Sequence, residues 1–233
     1  MTLGLFAWIS IGFAFACALT IVVDEIRRPQ AMGIMNVVWP VTALYFSVFG
    51  LWAYFKFGTR KTAAAMQAMQ NQNDGQMNMG GDKNKPPTIV QIAEGTSHCG
   101  GGCMIADVGT EFAIAAAGLT LFGSVLWTEF ILDFLVAWAL GIVFQYFALK
   151  PMRSDLSPAG AILAAIKADT LSILAFQVGM YLFMALVYFK LFPAPHHLTP
   201  FDPRYWLMMQ IAMICGFLTS FPMNRLLIGW GLK

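Results

Sequence analysis

Charge is what this sequence of 233 residues has least of. Asp, Glu, Lys and Arg make up 11% of it, against about 25% in an ordinary soluble domain. The balance is a net +2, too slight for a phosphate-binding surface, so no nucleic-acid partner is expected. Cysteine is scarce as well. Cys17, Cys99, Cys103 and Cys215 are too few for a disulfide scaffold. Neither G-x-x-x-x-G-K-[ST] nor G-x-G-x-x-G occurs, which disfavours ATP-driven work by this chain alone. H-E-x-x-H and G-x-S-x-G are absent too, removing two common signatures of hydrolysis. No internal repeat supports the inverted-repeat plan of many transporters. The apolar N-terminal run lacks a basic n-region and an A-x-A-like site, so a retained helix is expected there.

What is present is apolar. Hydrophobic residues reach 58% and mean hydropathy is +0.66. A helix needs about 20 apolar residues to cross the hydrocarbon core, and six runs approach that length: residues 3–23, 35–57, 104–126, 130–149, 170–192 and 205–222. The expected fold is therefore an all-α polytopic membrane bundle of about six transmembrane helices. Residues 1–57 hold the first two, 58–97 form a Met/Gln/Gly-rich loop, and 98–233 hold the other four. The third and fourth runs are separated only by Trp127, Thr128 and Glu129, predicting a tight hairpin. Six spans put both termini on one side. That side carries ten Lys and Arg (Lys56, Arg60, Lys61, Lys83, Lys85, Lys150, Arg153, Lys167, Arg225, Lys233) against four on the other (Arg27, Arg28, Lys190, Arg204). The positive-inside rule then makes both termini cytoplasmic, in a multi-pass protein with lipid as its first partner. The Ala- and Gln-rich stretch 61–72 is expected to extend the second helix, and residues 73–87 to be loop. Pro40 should kink the second helix. Residues 154–167, with S-P at 157–158, read as a short interfacial helix before the fifth span.

Chemistry concentrates in T-S-H-C-G-G-G-C-M-I-A-D, residues 96–107. In a reducing cytoplasm a stable disulfide between Cys99 and Cys103 is not expected. Three glycines argue against a continuous helix through the motif and for a curl that turns both sulfurs to one point. Cys103 would then fall at the start of the third helix, where free N–H groups favour a thiolate. His98, Cys99, Cys103 and Met104 would form a soft ligand set suited to copper as Cu(I), or next to zinc. The plain alternative is a Gly-rich hinge with incidental cysteines. Below the motif, Asp107 and Glu111 share one helix face, and Glu129 and Asp133 repeat the spacing at the other end of the hairpin. Asp169 opens the fifth span. A charge at the bilayer centre costs about 2.5–3.5 kcal/mol on insertion scales, so these acids either pair with nearby cations or line an ion or proton path. Asn36, Thr42, Gln145, Gln177 and Gln210 read as interhelical glue, worth ~0.6 kcal/mol each. Met77 and Met79 in the loop, and His196 and His197 on the outer side, are auxiliary metal contacts or plain linker and turn residues.

Several of these segments together resemble a known family: M-N-V-V-W-P-V-T-A-L-Y (35–45), H-C-G-G-G-C-M-I-A-D (98–107), E-F-I-L-D-F (129–134), G-I-V-F-Q-Y-F-A (141–148), K-A-D-T-L-S (167–172), Q-V-G-M-Y (177–181) and M-Q-I-A-M…N-R-L-L-I near the end. They look like bacterial inner-membrane proteins catalogued only as a domain of unknown function. The resemblance covers nearly the whole chain outside residues 62–88. Its pattern, H-C-x-x-G-C followed by D-x-x-x-E, falls on His98, Cys99, Cys103, Asp107 and Glu111. The terminal G-W-G-L-K departs from the family's more basic tail. The resemblance implies no particular reaction, but it directs attention to the third-helix motif and to Glu129 and Asp133. The leading expectation is a non-enzymatic, proton-coupled transporter of Cu(I) or zinc, fed by a cytoplasmic metal chaperone. The alternatives are a thiol oxidoreductase that passes electrons between Cys99/Cys103 and quinone, and a structural or assembly subunit of a membrane complex.

Overall fold

A computed structural model describes residues 2–72, 88–149 and 157–232. Helices dominate: α1 (Leu3–Arg27), α2 (Met35–Phe46), α3 (Val48–Phe57), α4 (Ala63–Gln72), α5 (Ile89–Ala117), α6 (Val125–Leu149), α7 (Pro158–Leu186) and α8 (Pro203–Gly229). Among the described residues no strand forms; two isolated bridges, Gln30 with Thr62 and Leu121 with Ser124, are the only extended pairings. Four helical stretches are long and apolar enough to cross a membrane: Leu3–Arg27, Val125–Phe147, Pro158–Leu191 and Pro203–Gly229. They make this an all-helical protein of membrane type. The main core lies where α5, α6, α7 and α8 meet α2, around Phe176, Met180, Met209 and Met213. A smaller core of Cys17, Ile21, Trp39 and Tyr54 joins α1, α2 and α3.

Sequence expectation and structure part company in five places, each with a local cause. The glycines of C-G-G-G-C do not curl the chain. Helix α5 runs unbroken through them, and Cys103 sits in its middle, not at its start. The helix begins at Ile89, inside the segment expected to be loop, because Thr88 and Gln91 form a reciprocal cap: Thr88 N donates to Gln91 Oε1 at 2.9 Å and Gln91 N to Thr88 Oγ1 at 3.3 Å. A glycine is wanted for close approach. A Cβ on Gly100 would stand 2.7 Å from Tyr45 Oη and 2.9 Å from the Phe176 ring. The permissive backbone is thus spent on packing, as in small-residue membrane interfaces.

The second expected span is broken at Ser47, whose φ of 48° ends α2 and starts α3. Pro40 lies within α2 without ending it. The break keeps its backbone bonds: Ser47 N donates to the Ala43 carbonyl at 2.8 Å and Leu51 N to the Ser47 carbonyl at 3.0 Å. The hairpin turn falls at 118–124, earlier than Trp127–Glu129. Gly118, at φ 62°, ends α5 in the left-handed conformation that favours glycine, and Leu121 N donates to Thr128 Oγ1 at 2.6 Å. The segment expected as a separate interfacial helix is the first part of α7, started by Ser157 as cap and Pro158 at the first helical position. Helix α4 forms, but a 3₁₀ turn over Gly58–Lys61 separates it from α3. Met77 and Met79 lie outside the described residues.

Candidate functional site

Continuous α5 fixes the geometry of everything that follows. Cys99, Cys103, Asp107 and Glu111 recur every four residues on it, so they form one slowly turning stripe. Cys99, Cys103 and Asp107 are 0% exposed and Glu111 is 2% exposed. At a rise of about 1.5 Å per residue the stripe is about 18 Å long. Three neighbouring helices supply polar groups opposite it.

At the Cys99 end the partners come from α7 and α8. The Cys99 thiol donates to Asp169 Oδ1 at 2.8 Å, and its sulfur lies 2.9 Å from Ser172 Oγ. Ser172 and Ser220 hydroxyl oxygens are 3.1 Å apart. Asn224 Nδ2 donates to Ser172 Oγ at 2.6 Å and to Ser220 Oγ at 2.9 Å. Sequence boundaries hid this cluster. The expected sixth span closes at Pro222, which leaves Asn224 outside it, and the expected path residue Asp169 stands at the very opening of the fifth. Both belong to the interiors of α7 and α8 and are 0% exposed. The signal that could have found the cluster is D-x-x-S in 169–172 against S-x-x-x-N in 220–224, one helix face each.

Cys103 stands between the two ends, among Cys99, Asp107, Asp133 and Asp169. Further along, Asp107 lies beside Gln177 of α7 and near Asp133, and Glu111 lies beside Tyr205 of α8 and near Glu129 and Asp133 of α6. Thr110 Oγ1 donates to Asp133 Oδ1. Both carboxylate oxygens of Asp107, one of Glu111 and the Tyr205 hydroxyl are buried without a hydrogen-bond partner among the described residues. Nor does an ion pair reach them among the described residues. The ion pairs among the described residues are Asp24 with Arg28, Glu94 with Lys61 and Asp202 with Arg204. Asp107, Glu111, Glu129 and Asp133 are therefore buried acids that no salt bridge among the described residues explains. Glu129 and Tyr205, which lie near Glu111, line a cavity of about 130 Å³ together with Tyr188, His197 and Thr199 among others.

The expected soft ligands are not gathered in the way a curled loop would gather them. His98 packs edge-on against Phe144 of α6, with ring centroids 5.9 Å apart, while Cys99 turns to α7. Met104 is buried in the main core. Among the described residues no three His, Cys, Asp or Glu side chains group closely enough to hold a metal ion. His196 is exposed. His197 stacks on Tyr188 at 3.8 Å and its Nδ1 lies 2.9 Å from the Phe192 carbonyl, at the cavity rim. The glue reading fits Gln210, which accepts from Ser10 Oγ at 2.8 Å and donates to the Leu44 carbonyl at 2.7 Å, tying α1 and α2 to α8.

A helical membrane-type protein with a buried line of thiols and acids along one helix is the class that fold and site define. Residues 89–233 match the family described as a domain of unknown function, DUF4396, and the chain belongs to that family. The matched part is α5 to α8, which carries every residue of the line. No curated protein and no solved structure matches the chain.

Proposed function

We propose that this protein is a proton-coupled membrane transporter of a soft cation, with Cu(I) the first candidate cargo and zinc the second. One observation carries the reading: each thiol of the stripe adjoins a carboxylate, and the carboxylates continue to the cavity. Cys99 already donates its proton to Asp169 at 2.8 Å, and Cys103 is one helical turn from Asp107. A thiol must lose its proton to hold a metal, so cargo capture would hand protons to Asp169 and Asp107. From Asp107 the relay would pass Asp133 and Glu111 to Glu129 at the cavity. Two thiolates on one helix face suffice for two-coordinate Cu(I); a four-ligand zinc site has weaker support, given how His98 and Met104 are turned. Full burial of both sulfurs speaks against the rival thiol oxidoreductase, whose nucleophile must reach quinone.

In this reading the chain crosses a bacterial inner membrane six times. The broken pair α2 and α3 together make one crossing, α5 makes another, and both termini face the cytoplasm, where a metal chaperone would deliver the ion to the Cys99 end. The test is a proteoliposome assay with a pH-sensitive dye inside and Cu(I) added under reducing conditions. Wild type should move protons on copper addition, and Asp107→Asn and the Cys99→Ala/Cys103→Ala pair should not. Equal proton flux in all three, with no copper retained by the purified protein, would sink the proposal.

A further inference from the structure

The outer ends of α2 and α3 meet where a membrane crossing would hold them apart. Ala31 N donates to the Lys61 carbonyl at 3.0 Å and Ala63 N to the Pro29 carbonyl at 2.9 Å. The residues before α2 and after α3 thus pair as a short antiparallel ladder centred on Gln30 and Thr62. Gln30 N also donates to Asn36 Oδ1 at 2.9 Å, which ties the ladder to the first turn of α2. Between those ends the chain goes in and comes back. Ser47, at φ 48°, turns it. Trp39 meets Tyr54 edge-on with ring centroids 5.7 Å apart, and a Cβ on Gly50 would stand 2.9 Å from Ala43 Cα. The two arms hold 12 and 10 residues, about 18 and 15 Å of helix against a hydrocarbon core of about 30 Å. Neither arm is long enough to cross.

Contacts with the other helices place the base of this hairpin. Lys61 pairs with Glu94 at 2.5 Å, near the start of α5 and on the Cys99 side of the stripe. Helix α8 runs the length of the bundle, from Tyr205 beside Glu111 to Asn224 beside Ser172. Helix α1 runs parallel to it: Ser10 Oγ donates to Gln210 Oε1 at 2.8 Å in the first part of α8, while Asp24, in the last turn of α1, accepts from Tyr54 Oη at 2.8 Å. So α1 begins at the Glu111 end and comes out at the base of the hairpin. The tip is enclosed, as non-helical backbone at membrane depth must be. The Leu44 carbonyl accepts from Gln210 Nε2 at 2.7 Å, and Phe46 meets Phe217 with centroids 5.0 Å apart. The same arm supplies Val38 and Tyr45, which lie against Gly101 and Gly100.

We infer that α2 and α3 form a re-entrant hairpin that enters and leaves at the Cys99 face. Helices α1, α5, α6, α7 and α8 then make five crossings, and the start of α1 lies on the face opposite the end of α8. This departs from the six crossings above at the hairpin alone; the relay along α5 and the side of its Cys99 end are common to both paths. Arg27 and Arg28 join Arg60 and Lys61 on the basic face. The division of Lys and Arg moves from ten against four to twelve against two, a stronger positive-inside bias.

Two measurements on the full chain test this. A membrane-impermeant maleimide is applied to right-side-out and to inverted vesicles, with labelling of the unaltered chain subtracted. Gly33→Cys puts its side chain into open space and should react on the face of Arg60→Cys, opposite Leu119→Cys in the α5–α6 turn. Reaction of Gly33→Cys on the Leu119 face restores six crossings and overturns the hairpin. The second measurement reads the base directly. A ladder pair of this non-hydrogen-bonded kind has Cα atoms about 4.5 Å apart, within reach of a disulfide. Gln30→Cys/Thr62→Cys should therefore cross-link with diamide, as read by mass spectrometry of tryptic peptides. A crossing would hold the two about 30 Å apart, so a pair that stays reduced also overturns the hairpin. Neither readout involves copper or protons. Loss of copper-driven flux with the cross-link intact removes the transport reading and leaves the hairpin; flux in a chain whose Gly33 lies with Leu119 does the reverse.

Discussion

The two ends of the α5 stripe solve the problem of buried polarity differently. Around Cys99, four side chains from α7 and α8 close a network of hydrogen bonds between 2.6 and 3.1 Å. Around Asp107 and Glu111, with Gln177 and Tyr205 beside them, the buried carboxylate oxygens close no such network among the described residues. The first end is held in place by its neighbours. The second is assembled from groups that repel one another when ionised, so it is stable only with protons or cations present. The contrast is one of degree, since Asn224 Oδ1 at the first end is also buried without a partner among the described residues, but only the acid end gathers several carboxyl groups.

The largest expected effect tests the acid end. Glu111→Gln and Asp133→Asn should each reduce copper-driven proton flux to the level of empty vesicles, while the folded protein persists because each change removes a buried charge. Survival of flux in both would mean that the unpartnered acids are passive. Next comes the link between the ends. Asp169→Asn keeps the shape beside Cys99 but supplies no charged acceptor, so copper retained per chain should fall at least about tenfold, as for loss of a group that supports a metal ligand. Elemental analysis of the purified variant checks this.

Smaller effects concern packing. Gly100→Ala places a methyl 2.7 Å from Tyr45 Oη and 2.9 Å from Phe176, and overpacking of this kind costs about 1–3 kcal/mol. Gly101→Ala meets nothing closer than Val38 at 3.6 Å and should be nearly neutral. Thermal unfolding of the two variants side by side distinguishes a helix that uses its glycines for contact from one that merely tolerates them. The smallest effect lies at the edge of the bundle. Asp202 caps α8 by accepting from Arg204 N at 2.8 Å, and the Arg204 side chain holds its carboxyl below the usual range. Asp202→Ala should cost about 0.5–2 kcal/mol. Because the folded value is the lower one, that stabilisation is present at neutral pH and lost as pH falls through the carboxylate range, so the wild-type and variant curves should converge in acid.

Length and hydropathy alone made the helical membrane architecture legible, and a four-residue spacing made half of the stripe legible. What misled was local. Three consecutive glycines carry a strong preference for irregular backbone, but α5 packs against Tyr45, Val38 and Phe176, and tertiary contact overrides propensity. Hydropathy windows stop where polar residues begin, so the expected sixth span excludes Asn224, and only its charge singles out Asp169 at the edge of the fifth. Tyr205 and Ser220 gave no signal because a lone hydroxyl in an apolar run looks like filler. The broken span at Ser47 was invisible because Pro40, seven residues earlier, is the stronger breaker on paper.

The four-residue period has one more consequence. Each step of four advances about 400° around an α-helix, a net turn of about 40°, so from Cys99 to Glu111 the stripe winds through about a third of the circumference. That winding is why Cys99 faces α7 and α8 while Glu111 meets α6 and α8. No straight channel could serve both. Whatever passes along α5 follows a spiral stair, changing walls as it climbs, and a small rotation of α5 about its own axis would bring every step to a new landing at once.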